Sequence, residues 1–398
     1  VSYALTWAGP QKGIVLDLFA GPGGWSEGIR RFLGLRDVGL EWDEAATLTR
    51  AAAKHATVRV DVSCFVLGPV VGKVWGLIAS PPCTKLSAAG SGIGRKYIGL
   101  LADGIRRMFR GDDCREEIRA AVFPGALAEQ RRKNAKRAVT KRWTEEKLVQ
   151  AAHDDAFVTS LMLEPARFLY ALLNAGDPAV RFEWVAFEQV PAAEPLWQVY
   201  ALELRRLGWS VAVGVLDLAD YGGGQERPRA VLIGSSVRQI RMPEKTHGKV
   251  WGDDLFGGSV LPRVTMAQAL GWGYTQRPAP TVTGGGTATG GAEPFGNGSR
   301  KAMRAAMADP RHWAHHRPAH TVSGTVGHVG GKQAGGHLNL EPEEGAVLQT
   351  FPADHPFQGN KNQRARQIGD AMPPLLAAHV VSAASGVPFL QDALTWAA

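Results

Sequence analysis

Val15-Leu-Asp-Leu-Phe19-Ala-Gly21-Pro-Gly23-Gly24 is the stretch whose reading decides the fold. A short apolar run ends in a glycine turn, and the sequence that follows predicts a helix starting near Trp25 or Ser26. Glycines let the backbone approach a ligand closely, and a helix N-terminus favours an anionic group. About 20 residues on, Glu41 ends the next apolar run, where an acid commonly accepts hydrogen bonds from ribose hydroxyls. The glycine spacing departs from the dinucleotide fingerprint G-x-G-x-x-G, because the next glycine after Gly24 is Gly28. A nucleoside cofactor without a pyrophosphate fits this turn better, and a nicotinamide-linked oxidoreductase is correspondingly disfavoured.

Outward from this stretch, apolar runs alternate with helix-like segments: Ile14 to Phe19, Val38 to Glu41, Thr57 to Val62 and Val74 to Ala79. The pattern resumes at Phe182 to Glu188, Ser210 to Leu216 and Ala230 to Gly234, with an amphipathic segment from Pro195 to Leu207. Such alternation predicts an α/β protein with a doubly wound, mostly parallel sheet of about seven strands, interrupted twice. The first interruption, about residues 88–157, carries Gln130-Arg-Arg-Lys-Asn-Ala-Lys-Arg-Ala-Val-Thr-Lys-Arg142, with seven basic residues and no acid. A basic helix on nucleic acid and a solvated surface helix both fit that run. The second interruption lies at about 238–340, where Gly, Pro and Thr dominate and helical periodicity fades, as in a smaller loop-rich domain. Within it Arg277-Pro-Ala-Pro-Thr-Val-Thr-Gly284 is echoed by Arg317-Pro-Ala-His-Thr-Val-Ser-Gly324. Three segments are expected: 1–237 as the α/β unit, 238–340 as a smaller loop-rich unit, and 341–398 as a helical return to the first.

The 398 residues, 45% hydrophobic and 21% charged, are enough for a sizeable core, and a formal charge of +8 makes a polyanionic partner plausible. Cys64, Cys83 and Cys114 are too few and too scattered for a disulfide framework or a four-cysteine zinc site, which fits a reducing cytoplasm. No apolar run approaches the roughly 18 residues of a membrane span, and the beginning lacks the basic and apolar regions of a signal peptide. A cytoplasmic monomer without membrane attachment is expected. Histidines 312, 315, 316 and 320 lie among prolines in a polar loop, and no metal is assigned to them.

Chemistry enters at Ser80-Pro81-Pro82-Cys83-Thr84, directly after the run Val74 to Ala79. A thiol at the carboxyl end of a strand sits where open α/β sheets bind ligands, although a free cysteine is more often an inert buried residue. Its company raises its rank. Phe19-Ala-Gly-Pro-Gly-Gly24, Glu41-Trp42-Asp43, Pro81-Pro-Cys83, Phe187-Glu188-Gln-Val190, Gln225-Glu-Arg-Pro-Arg229 and Gly369-Asp-Ala-Met-Pro-Pro374 follow one another in the order found in cytosine-C5 DNA methyltransferases, and the chain resembles that family over 13–236 and 317–385.

The resemblance implies a Rossmann-like class I methyltransferase fold with a target recognition domain. It also implies methyl transfer from S-adenosylmethionine to carbon 5 of a flipped-out cytosine in double-stranded DNA. Carbon 5 of cytosine is a poor nucleophile until a thiolate adds to carbon 6. By resemblance Cys83 makes that attack, Glu188 donates a proton or hydrogen bond at N3, and Arg229, with Arg227 secondary, holds the cytosine carbonyl. A free thiol has a pKa of about 8.5, so positive charge or a helix terminus must favour the thiolate. Phe19, Gly21, Gly23 and Gly24 are implied at the methionine and adenosine end of the cofactor, Glu41 at the ribose, Trp42 at the adenine face and Asp61 at its amino group. Pro82, Leu161, Asp370 and Ala371 are further implied cofactor contacts. Ser87 is a candidate phosphate contact, and Arg277, Lys301, Arg304 and Arg311 are candidate DNA contacts. Two departures stand out: Gln189 and Asp370 occupy positions where the family usually has asparagine. A tRNA cytosine-C5 methyltransferase and a catalytically silent DNA-binding relative are the alternatives, and Cys83, Glu188 and Arg229 argue against the latter.

Overall fold

The computed structural model describes residues 11–82, 96–248, 260–271, 307–309, 311–316, 318–319, 328–329, 338–339 and 341–390. The deciding stretch folds into strand β1 (Ile14–Leu18), a glycine turn and helix α1 (Gly24–Leu33). Strand β2 (Asp37–Glu41), helix α2 (Glu44–Ala52), β3 (Ala56–Arg59) and β4 (Val74–Ala79) complete the first half. Every residue of β4 is buried, as expected for a central parallel strand covered on both faces.

Between β4 and β5 the chain builds α3 (Ile98–Met108), α4 (Arg115–Ala135), α5 (Glu145–Ser160) and α6 (Glu164–Leu173). Strand β5 (Trp184–Gln189), helix α7 (Glu194–Arg206), β6 (Ser210–Asp217) and β7 (Pro228–Ser235) close the sheet. The strand order is β3-β2-β1-β4-β5-β7-β6. Strand β7 alone runs against its neighbours, pairing antiparallel with both β5 and β6. The architecture is therefore the mixed, mostly parallel seven-stranded sheet that the sequence predicts. The chain steps outward from β1 to β2 and β3, then crosses back to β4 on the other side of β1, and this reversal opens a crevice at the carboxyl ends of β1 and β4.

Two apolar layers sandwich the sheet. On one face Leu16, Leu77 and Phe187 pack with residues of α3, α4, α6 and α7, including Ile105, Ile118, Phe168 and Tyr200. On the other, Val15, Ile78 and Val231 meet Trp25 and Ile29 of α1 and Leu376 and Val380 of α10 (Pro374–Ser385). Helices α8 (Pro342–Leu348) and α9 (Lys361–Asp370) precede α10. They share a smaller cluster with Met266, Leu270, Ala314 and Ala319, the described apolar pieces of the loop-rich region.

Two expectations are revised. The basic run 130–142 is not one helix: α4 ends at Ala135, and the chain turns through residues 136–144. Asn134 fixes that turn by accepting the Trp143 amide at 2.8 Å and donating to the Trp143 carbonyl at 3.1 Å. The stretch Glu145–Leu173 forms a 29-residue helical run long and apolar enough to cross a membrane, where no such run was expected. Its most apolar window is 67% buried against protein, the behaviour of a core helix.

Candidate active site

A cavity of about 350 Å³ lies in the crevice at the carboxyl ends of β1, β2, β4 and β5. That volume suits a small-molecule site. The glycine turn supplies one wall. Phe19 has φ 62° and Gly21 φ 52°, and Gly23, at φ 100°, is the N-cap of α1. A non-glycine residue in this left-handed region is strained, and such strain concentrates at functional sites. The next glycine serves close packing, because a Cβ on Gly24 would stand 2.0 Å from the Met372 carbonyl oxygen. Helix α1 thereby seats against the Met-Pro-Pro segment that opens α10.

Glu41 closes the turn from below. One carboxylate oxygen accepts the Gly21 amide at 2.7 Å, and the other accepts the amides of Trp42 and Asp43 at 2.8 and 2.7 Å. A carboxylate has roughly four acceptor sites, so three backbone bonds leave capacity toward the cavity. Burial raises the Glu41 pKa, and the three backbone bonds act in the opposite direction. Beside it Trp42 presents a ring that is 63% exposed although it lines the cavity. Asp61 accepts the Ser63 amide at 2.8 Å through Oδ1, while Oδ2 has no hydrogen-bond partner among the described residues.

Phe19, Gly21, Gly24, Glu41, Trp42, Asp61, Pro82, Leu161, Asp370 and Ala371 all line the cavity, and Gly23 shapes the turn without lining it. These surroundings fit an adenosine-bearing, positively charged methyl donor: an exposed aromatic face, acidic acceptors at Glu41, Asp61 and Asp370, and a glycine turn that admits a ligand. Burial raises the Asp370 carboxyl pKa, and Arg227, Arg366 and Arg229 pull it down.

At the inner end, Glu188 and Arg229 reach the same cavity from adjacent antiparallel strands. Arg229 Nε lies 2.9 Å from Glu188 Oε1, with both side chains largely buried. Arg229 also donates Nη1 to the Pro228 carbonyl at 2.8 Å. Neither Glu188 Oε2 nor Arg229 Nη2 has a hydrogen-bond partner among the described residues. The pair thus presents a carboxyl oxygen and a guanidinium nitrogen side by side.

Arg227 sits elsewhere. It is fully buried, does not line the cavity, and donates Nη2 to the carbonyls of Gly369 and Ala371 at 2.7 and 2.9 Å. Arg227, expected at the cytosine, has its guanidinium turned into the backbone of the C-terminal segment. Cys83, Ser87, Arg277, Lys301 and Arg304 lie outside the described residues. Arg311 is exposed and pairs with Asp309 at 3.1 Å.

Further residues brace the site. Gln189 donates its side-chain amide to the Pro81 carbonyl and accepts the Val190 amide, tying the end of β5 to the residues before Cys83. Trp25 donates its indole N–H to Ser80 Oγ at 2.9 Å, bracing the same turn from α1. Phe157 and Val158, from the end of α5, line the cavity together with Gln363, Arg366 and Gln367 of α9. The unusual amide after Glu188 was a visible signal for Gln189; the others carry none, since their positions depend on long-range packing.

A family model described as C-5 cytosine-specific DNA methylase matches residues 182–385. The type II methyltransferase M1.HphI of Haemophilus parahaemolyticus is 28% identical over 187 residues, covering 46% of this chain and 49% of that protein. The type II methyltransferase M.BbvI of Brevibacillus brevis is 26% identical over 182 residues, covering 42% and 47%. The chain thus spans about half the length of the curated relatives it matches. Among solved structures, the methyltransferase EhMeth of Entamoeba histolytica superposes with a TM-score of 0.53 at 10% identity, covering 94% of this chain and 99% of its own. A DNMT2 of Spodoptera frugiperda gives 0.50 at 11% identity with the same coverages, and both show a shared fold. With its family match lying across the strands and helices that carry Glu188, Arg229 and Asp370, the chain belongs to the C-5 cytosine-specific DNA methylase family.

Proposed function

We propose that the chain methylates carbon 5 of cytosine in duplex DNA, using S-adenosylmethionine and a transient bond from Cys83 to carbon 6. The observation that carries this reading is the Glu188–Arg229 pair, open on its cavity side and joined through Gln189 to the Pro-Pro turn that immediately precedes Cys83. Glu41, Trp42, Asp61, Leu161 and Asp370 would hold the cofactor. Bound there, S-adenosylmethionine supplies an electrophilic methyl group.

Arg229 offers a cationic donor to the cytosine carbonyl, and Glu188, carrying a proton, donates to N3, which is itself an acceptor. Both groups stabilise the electron shift that follows thiolate addition at carbon 6. Carbon 5 thereby becomes nucleophilic and would take the methyl group as its bond to the sulfonium sulfur breaks, leaving S-adenosylhomocysteine. Loss of the carbon 5 proton to a base then re-forms the ring double bond, breaks the S–C6 bond and returns the thiolate. A stacked cytosine cannot offer carbon 6 to a side chain, so the base must leave the duplex.

Purified protein incubated with labelled S-adenosylmethionine should label duplex DNA and leave tRNA unlabelled. Duplexes carrying 5-fluorocytosine at the target should trap a covalent complex with the wild type, because the fluorine cannot leave as a proton does, whereas Cys83→Ser should trap none. Label on tRNA alone would reassign the substrate. An undiminished complex with the serine variant would remove Cys83 from its role.

A further inference from the structure

Helices α4 and α5 form a hairpin whose free end gathers positive charge. Between Glu129 and Glu145 the chain has seven basic residues and no acid. Three of the seven are paired on the helices themselves: Arg131 with Glu145, Arg132 with Glu129 at 2.7 Å, and Lys133 with Glu129 at 3.8 Å. The other four, Lys136, Arg137, Lys141 and Arg142, crowd the turn, and no carboxylate lies within 4.0 Å of any of them among the described residues. The turn is nevertheless ordered. Asn134 clamps Trp143, and the Arg137 guanidinium lies 3.9 Å from the centroid of the Trp143 ring. Val139 at its tip is 75% exposed.

The placement of this charge is as informative as its sign. Helix α5 ends at the cavity wall with Phe157 and Val158, then continues through Leu161–Leu163 into α6 as one helical run. Helix α6 leads back toward the start of β5, so α5 leads the opposite way, beyond the strand ends that hold the cavity. Its 16 residues span about 24 Å at 1.5 Å per residue. That length matches about 7 base pairs of B-form duplex at 3.4 Å each.

We propose that this hairpin is an accessory arm that grips duplex phosphates several base pairs from the methylated cytosine, through Lys136, Lys141 and Arg142. The proposal rests on the assignment of DNA as substrate and adds a contact outside the cavity and outside the 238–340 region. A cluster of unpaired cations on an ordered turn suits a regular polyanion, and such contacts confer affinity without reading sequence. Arg137 stays on Trp143 and braces the turn.

The test compares wild type, the triple variant Lys136→Gln, Lys141→Gln, Arg142→Gln, and a charge-preserving variant Lys136→Arg, Lys141→Arg, Arg142→Lys. Binding of a 30-base-pair duplex is measured against salt. Each lost phosphate contact lowers the slope of log K against log salt by about 0.9, so the glutamine variant should lose up to about 2.7. The charge-preserving variant should keep the wild-type slope, and all three proteins should bind S-adenosylmethionine equally. Equal slopes for wild type and the glutamine variant overturn the arm alone. A wild type that binds no duplex overturns both the arm and the substrate assignment beneath it. Loss of binding to phosphatidylglycerol vesicles with an unchanged duplex slope overturns the arm in favour of a membrane partner.

Discussion

Gln189 turns a departure from the family's usual sequence into a working contact. Its amide reaches back to Pro81, so the residues leading to Cys83 are held by the same strand that carries Glu188. Removing it should loosen the thiol's approach while leaving the cofactor walls in place. Gln189→Ala is expected to lower the single-turnover methylation rate by about 10- to 100-fold, since a misplacement near 1 Å is enough for such a loss. S-adenosylmethionine affinity, measured by calorimetry, should stay within about twofold. A parallel collapse in cofactor affinity would show that Gln189 supports the whole cavity instead.

Among the helices, α10 carries the most informative titrating group. His379 packs between the rings of Tyr221 and Phe389, at 4.9 and 4.7 Å. Burial, aided by nearby His247, pushes its pKa down from 6.5 to about 4. Between those values the unfolded chain binds more protons than the folded one, so stability rises with pH across that window. This group should make the protein about 3 kcal/mol more stable at pH 7 than at pH 4, at 1.36 kcal/mol per unit. Urea unfolding of wild type and His379→Phe across this range tests it: the wild-type loss on acidification should be smaller in the variant by about that amount. An identical pH profile would place the imidazole in water rather than between the rings. The packing that buries His379 against Tyr221 and Phe389 is invisible in the local sequence, which shows only an apolar helix whose polar residues are His379 and two serines.

For the molecule as a whole, Arg227 is the bolt between the sheet and the C-terminal helices. From just before β7 it holds the Gly369 and Ala371 carbonyls, and Asp370 between them lines the cavity. Arg227→Met leaves these buried carbonyls short of donors, at a cost of about 1–3 kcal/mol per unsatisfied group. The expected result is a lower melting temperature together with weaker cofactor binding and slower turnover. Glu188→Gln, by contrast, should slow turnover with little change in cofactor affinity. An Arg227→Met protein with wild-type stability and cofactor affinity but no turnover would return Arg227 to direct catalysis.

The sheet was legible because its information is local: runs such as Val74–Ala79 are apolar throughout, and glycines punctuate their ends. The order of short motifs likewise points to Glu188, Arg229 and other residues that line the cavity. What the linear order leaves open is direction and partnership. Arg227 and Arg229 are two residues apart in the chain, yet one enters the C-terminal backbone and the other pairs with Glu188 in the cavity. The basic run 130–142 is uniform in sequence, but helix ends and Glu129 and Glu145 divide it into paired flanks and an open tip. Local composition determined the strands, the turn and the candidate chemistry; the tertiary structure decided which charges meet a partner, because that depends on distances between segments far apart in the chain.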